Sequence, residues 1–163
     1  MKNIFLLFLS IALVPAAMAQ LKVKEKCPDF EVNILDGQVN GMKADFPHDR
    51  LKIILPCFTS ATEEKDSSKC GSTIFFKDRD IYFYTQRDYV EIGPKFKGKL
   101  SLPLFGAPRA SLFKWLGNPT MNDDKWCAYR TSYGTLVLHF DAASKVNLVQ
   151  FSTKSTDFLS LCE

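Results

Sequence analysis

The sequence predicts an α+β fold of two similar units, each with short helices packed on one face of an antiparallel sheet. Three observations carry that expectation. Two segments share a spacing without a gap: Gly37, Pro47, Leu51, Leu55 and Thr59 fall on Gly98, Pro108, Leu112, Leu116 and Thr120. Each segment then reaches a cysteine, Cys70 or Cys127, and ends in two β-rich runs, 81–85 with 89–92 and 136–140 with 146–151. Within each segment the apolar period changes from helix-like to alternating, in the same order both times.

Residues 1–19 come first. Lys2 precedes an apolar stretch from Ile4 to Val14, and Pro15 is followed by Ala17-x-Ala19. This is the form of a secretory signal peptide cut after Ala19. The apolar stretch is short for a bilayer span and stops at a proline. Gln20 stands where a lipid-anchored chain would carry Cys, so no lipid or membrane anchor is expected. The remainder divides into a first α/β unit, 20–93, and a second, 94–163, with Gly93-Pro-Lys-Phe-Lys-Gly98 as the linker.

Helices are expected at 47–56 and 108–117. Pro47 and Pro108 suit the first helical turn, where a missing N–H is harmless. Leu51, Ile54 and Leu55, and likewise Leu112, Trp115 and Leu116, are spaced to form one apolar face. Pro56 stops the first helix, while Gly117 and Pro119 stop the second. Strands are expected at 73–77, 80–85, 88–92, 128–132, 134–140 and 145–151, with turns at 86–88 and 141–145.

Alternation assigns the sheet faces. Leu136, Leu138 and Phe140 must stay dry, which turns Thr135, Val137 and His139 the other way. Aligned with them, Ile81 and Phe83 are dry while Tyr82 and Tyr84 face away with His139. Tyrosines on an open sheet suit binding, since they bring large area and a polar tip. Strands also favour tyrosine for packing alone. The expected partner-binding residues are therefore Tyr82, Tyr84 and His139, with the loop Asp123, Asp124, Lys125 and Trp126. Tyr129 and Tyr133 are left open between face and core, and Trp115 reads as packing.

Composition narrows the function. Apolar residues make up 46% and charged residues 24%, with fourteen Phe, which excludes general disorder. The net charge of +3 and the lack of a Lys/Arg run of five argue against a nucleic-acid partner. Five cysteines, Cys27, Cys57, Cys70, Cys127 and Cys162, would be partly paired in an oxidising compartment, and the odd number leaves one over or joins two chains. No Cys-x-x-Cys, Gly-x-Ser-x-Gly or His-Glu-x-x-His occurs, and His48 and His139 are the only histidines. Glu63-Glu64 and Asp123-Asp124 sit in polar loops beside lysines. No catalytic, metal or cofactor site is expected.

Leu116-Gly117-x-Pro119, Trp126-x-x-Tyr129, Gly134-x-Leu136-x-Leu138-x-Phe140-Asp141 and Lys145-Val146 form a further pattern. Over about 98–151 it resembles the domain of the small SmpA/OmlA outer-membrane assembly lipoproteins. Residues 37–92 join the resemblance only through the internal repeat. The unit doubled in one secreted chain is similar to the secreted β-lactamase-inhibitor proteins. The resemblance implies helices layered on an antiparallel sheet and used to bind proteins, with no target implied. It also implies a Cys57–Cys70 bridge, since that spacing is of the kind the inhibitor family uses. Cys127 matches Cys70 in the repeat, but Cys57 is matched by Asn118. Cys127 would then pair with Cys162 in the tail, leaving Cys27, or stay free. The expected function is a periplasmic or secreted module acting as an inhibitor or immunity protein. Its partner would be a secreted or periplasmic hydrolase or toxin, blocked by steric occlusion, with the chain a monomer or small oligomer. The alternative is an assembly or structural factor of the cell envelope.

Overall fold

Strand formers alternate through most of the chain, and strands dominate the computed structural model, which describes residues 27–63 and 69–162. The expected signal peptide, 1–19, lies outside the described residues. The elements are β1 (Phe30–Asn33), β2 (Gln38–Val39), β3 (Met42–Lys43), α1 (His48–Ile54), β4 (Ser60–Thr62), β5 (Thr73–Phe76), β6 (Ile81–Tyr84), β7 (Tyr89–Ile92) and β8 (Gly98–Leu100). A 3₁₀ turn at Arg109–Ser111 then leads to α2 (Phe113–Leu116), β9 (Met121–Asn122), β10 (Trp126–Arg130), β11 (Thr135–Phe140) and β12 (Val146–Ser152).

The expected α+β layering is overturned. The fold is mostly β, with two sheets and only two short helices among the described residues. The helices stand where the prolines and apolar spacing put them, but α1 has 7 residues and α2 has 4. Within α1 only Leu51 is buried, and Ile54, expected on the packed face, is 51% exposed. Within α2 nothing is fully buried. Neither helix is long enough to cover the sheet.

A second sheet contributes much of the missing layer. Its order is β3-β2-β1-β8. Val39-Asn40-Gly41-Met42 is a tight hairpin whose Asn40 and Gly41 have φ of 49° and 78°, the pair of positive values that a type I′ turn requires. β8 pairs in parallel with β1, setting Phe30 opposite Gly98 and Val32 opposite Leu100. Pieces of two to four residues, one of them recruited from far along the chain, leave almost no periodic trace in sequence.

The larger sheet has the order β4-β5-β6-β7-β12-β11-β10-β9, with every neighbouring pair antiparallel. It is two four-stranded meanders joined where β7 meets β12, from Val149 opposite Ile92 to Ser152 opposite Tyr89. One face is dry. Ile74, Phe76, Ile81, Phe83, Val90, Ile92, Leu136, Leu138, Val149 and Phe151 are all buried there. They form one core with Phe30, Val32, Ile34 and Val39 of the smaller sheet and with Leu51, Leu104 and Leu112. The Phe30 and Phe76 rings meet edge to face at 5.0 Å, directly across the two sheets. Burying each such side chain contributes roughly 1.5–3 kcal/mol.

Tyr133 fastens the smaller sheet to the β10–β11 turn. Its hydroxyl donates to the Ile34 carbonyl at 3.0 Å. Its ring also lies against Gly37, where an added Cβ would come within 2.4 Å of it. With Gly37 at φ 61°, no other residue fits without strain. Tyr129 is 5% exposed on the dry side, and Trp115 packs partly buried against the core.

The cysteine pairing is also corrected. Cys27 bonds Cys57 and Cys70 bonds Cys162, replacing the expected Cys57–Cys70 and Cys127–Cys162 bridges. Cys127 is free and buried. It lies on the dry face of β10 opposite Leu138, whereas the tail bearing Cys162 passes the other face, so the two cannot meet. Connectivity depends on where loops cross in space, which cysteine spacing does not encode. Two disulfides fit folding in an oxidising compartment. Among the described residues no helix is long and apolar enough to cross a membrane.

Candidate sheet-face binding site

The second face of the larger sheet is the candidate site. A row of directly paired residues crosses it: Ser60, Phe75, Tyr82, Glu91, Gln150, Val137, Ala128 and Met121. A parallel row joins Tyr84, Tyr89, Ser152, Thr135 and Arg130. His139 stands between Leu148 and Trp126. Tyr82, Tyr84, His139 and Trp126 thus share one face, all partly exposed. They form two groups rather than one. Three strand spacings separate the row positions of Tyr82 and Val137, roughly 14 Å.

The first group is an aromatic cluster. Phe75 packs against Tyr82 and Tyr84 with ring centroids 5.4 Å away in each case. Tyr84 stacks on Tyr89 at 4.3 Å. The Tyr82 hydroxyl donates to Asp80 Oδ1 at 3.0 Å. Desolvation, with that bond and the nearby carboxylate charge, pushes the Tyr82 phenol up to about 12. Burial also raises Tyr84 and Tyr89, which stay protonated at neutral pH.

The second group is polar at its centre. Gln150, 5% exposed, donates from Nε2 to Glu91 Oε2 at 2.8 Å. Its other amide atom, Oε1, faces His139 Nε2 at 2.8 Å. The carboxylate requires the amide nitrogen on its own side, so the amide oxygen meets the imidazole and Nε2 of His139 carries the hydrogen. Desolvation raises Glu91 above the ordinary carboxylate value, opposed by the Gln150 bond.

Asp123, Asp124 and Lys125 lie exposed in the turn between β9 and β10, next to Trp126. The turn is held by Arg109, whose Nη1 donates to the Asp124 carbonyl at 3.2 Å, and by the Lys125 amide on Asp123 Oδ1 at 3.1 Å. The loop is therefore shaped and sits at the sheet edge, beside His139.

The face is not wholly open: no helix covers it, as expected, but an irregular segment does. The tail after β12 crosses one side. Thr135 Oγ1 donates to the Lys154 carbonyl at 2.8 Å. Arg87 holds Ser160 Oγ at 2.8 Å, and the Cys162 amide donates to the Tyr89 hydroxyl at 3.0 Å. The Cys70–Cys162 bond closes the strap. Between strap and sheet lies a cavity of about 240 Å³, walled by Trp126, Ala128, Val137 and His139 below and by Leu159 and Leu161 above.

Phe75, Glu91 and Gln150 are members of the site that the alternation already carries, since each falls between dry neighbours on its strand. The strap and Arg87 are not legible there, because their placement depends on the Cys70–Cys162 crossing. Elsewhere among the described residues, His48, Asp49 and Glu63 bring three possible ligand atoms within 4.8 Å of one another. Lys52 Nζ lies 2.5 Å from Glu63 Oε1, supplying a cation in that cluster already.

No family model matches this chain, and neither a curated protein nor a solved structure matches it.

Proposed function

We propose that the chain is a protein-binding module, an inhibitor or immunity protein that covers the active-site mouth of an envelope-acting enzyme. The observation that carries this reading is the second face of the eight-stranded sheet. One side of that sheet packs into the core, while the other presents Phe75, Tyr82 and Tyr84 at one end and, at the edge of the strap, the partly exposed Trp126 and His139 at the other. Partly exposed aromatics on a rigid, hydrogen-bonded platform make good interface anchors. The shaped acidic-basic turn at Asp123–Lys125 would set orientation and association rate at the rim. Export after cleavage near Ala19, to the periplasm or beyond the cell, accords with the two disulfides. The resemblance to tandem SmpA/OmlA-like units supports the same reading through its order of helix and strands.

Native capture from cell envelope and culture medium tests it, with Tyr82→Ala as the matched control. Retention of a hydrolase or toxin by the unaltered chain, weakened at least tenfold by Tyr82→Ala, is expected; tenfold is about 1.4 kcal/mol. Tyr82 is the cleaner probe, because Tyr84 is stacked on the buried Tyr89 and its loss would disturb packing. A partner bound equally by a folded Tyr82→Ala protein would remove the sheet face from the interface. Retention of outer-membrane assembly proteins instead would favour an envelope assembly role.

A further inference from the structure

We infer that the cavity between the carboxy-terminal strap and the second half of the sheet is a binding site for a small single-ring phenol, separate from the Phe75, Tyr82 and Tyr84 cluster. Size sets the first limit. An apolar cavity of about 150 Å³ takes benzene, so about 240 Å³ holds one substituted ring and little more. The walls set the second. Val137 and Ala128 are 3% and 2% exposed on the sheet side, and Leu159 and Leu161 close the slot from the strap. Trp126 lines it as well, and an indole beside a slot favours an aromatic guest by offset stacking.

Polar chemistry decides the substituent. Thr135 lines the cavity, but its hydroxyl is engaged by the Lys154 carbonyl. His139 also lines it, and its Nε2 hydrogen is directed to Gln150 Oε1. Gln150 is in turn oriented by Glu91, so the chain Glu91–Gln150–His139 sets the imidazole tautomer. In the neutral ring the remaining nitrogen, Nδ1, is an acceptor. A guest that fills the slot and meets this nitrogen needs one donor on a planar apolar ring, which describes a phenol. Thr156 adds a hydroxyl on the strap side, and a mostly apolar wall with a few placed polar groups is the ordinary make-up of a small-molecule site.

Titration of the oxidised, folded chain with p-cresol, followed by the amide resonances of Val137 and Leu159, tests the inference. Saturable binding is expected with a dissociation constant of about 1 mM or lower, within reach of so small a ligand. Toluene, which has the ring without the donor, should bind at least tenfold more weakly. His139→Leu should reduce p-cresol to the toluene level, and Ala128→Leu, which fills the slot, should abolish both. Circular dichroism and thermal midpoint show whether each variant is folded. If either fails to fold, His139→Met and Val137→Phe replace them with the same expectations. Absence of saturable p-cresol binding by the unaltered protein would overturn the site. Equal affinity for toluene and p-cresol would overturn the role of His139 and with it the phenol. Neither result bears on partner capture through Tyr82, whose row position lies three strands from Val137.

Discussion

Replacing Cys70 and Cys162 together by Ser should destabilise the chain more than replacing Cys27 and Cys57. The first bridge spans 92 residues and the second 30. A cross-link raises stability chiefly by removing loop-closure entropy from the unfolded chain, an effect that grows with the logarithm of loop length. For these separations it comes to about 4.6 and about 3.7 kcal/mol at 25 °C. The larger loss would lower the thermal midpoint by roughly 15 °C in a chain of this size. Urea unfolding of the oxidised variants is the assay. The unaltered chain should show the smaller slope with denaturant, since its unfolded state is more compact. The strap keeps its Arg87 bonds to Ser160 and Leu161 without the bridge. The fold itself should therefore survive at low temperature. A loss below about 1 kcal/mol for the Cys70/Cys162 pair would refute the entropic account. Peptide mapping that joined Cys57 to Cys70 would refute the pairing itself.

Three further outcomes follow from the same geometry. Glu91 has its folded-state pKa above the unfolded value of 4.5, chiefly through desolvation. Its favourable contribution is thus present below that value and is lost as pH rises through the folded one. Glu91→Gln should therefore gain stability relative to the unaltered chain between pH 4 and 7, and a difference in thermal midpoint that shrinks over that range would contradict the desolvation. The Tyr82 phenol should ionise near pH 12 in the folded protein, against 10.0 for a free tyrosine. Its contribution to stability is complete below pH 10 and lost by pH 12, and ultraviolet difference titration of Tyr82→Phe against the unaltered chain reads it. Cys127, buried with its thiol pKa raised by desolvation, should resist a disulfide-exchange reagent in the native state. One thiol per chain should then appear on unfolding without reductant, and two or none would contradict the assigned bridges.

Local chemistry in the chain determined where six of the large sheet's eight strands lie and which way they face, but not the short edge strands β4 and β9. Six runs of alternating residues became β5, β6, β7, β10, β11 and β12. A period of two leaves each strand only one register that keeps Ile81, Phe83, Leu136 and Leu138 dry, so Tyr82, Tyr84 and His139 had to share the other face. Helix limits were partly local: Pro47 caps α1 and Gly117 ends α2, whereas the segment opened by Pro108 is a 3₁₀ turn and α2 begins only at Phe113. What covers the dry face was decided by tertiary structure. Leu51 and Leu112 are buried as the helical spacing requires, yet Ile54 is exposed. The helices are short, and the strands β1, β2, β3 and β8 bring more apolar surface to the core. The Asn40-Gly41 turn was a signal available for one of those hairpins. The parallel joining of Phe30 to Gly98 had none, because its favourable contacts exist only after a long loop has closed. The same holds for the disulfides and the strap. Cys162 reaches Cys70 because the tail folds back over the tyrosine side of the sheet, and Cys127 stays free because the alternation that keeps Leu138 dry also turns its thiol into the core.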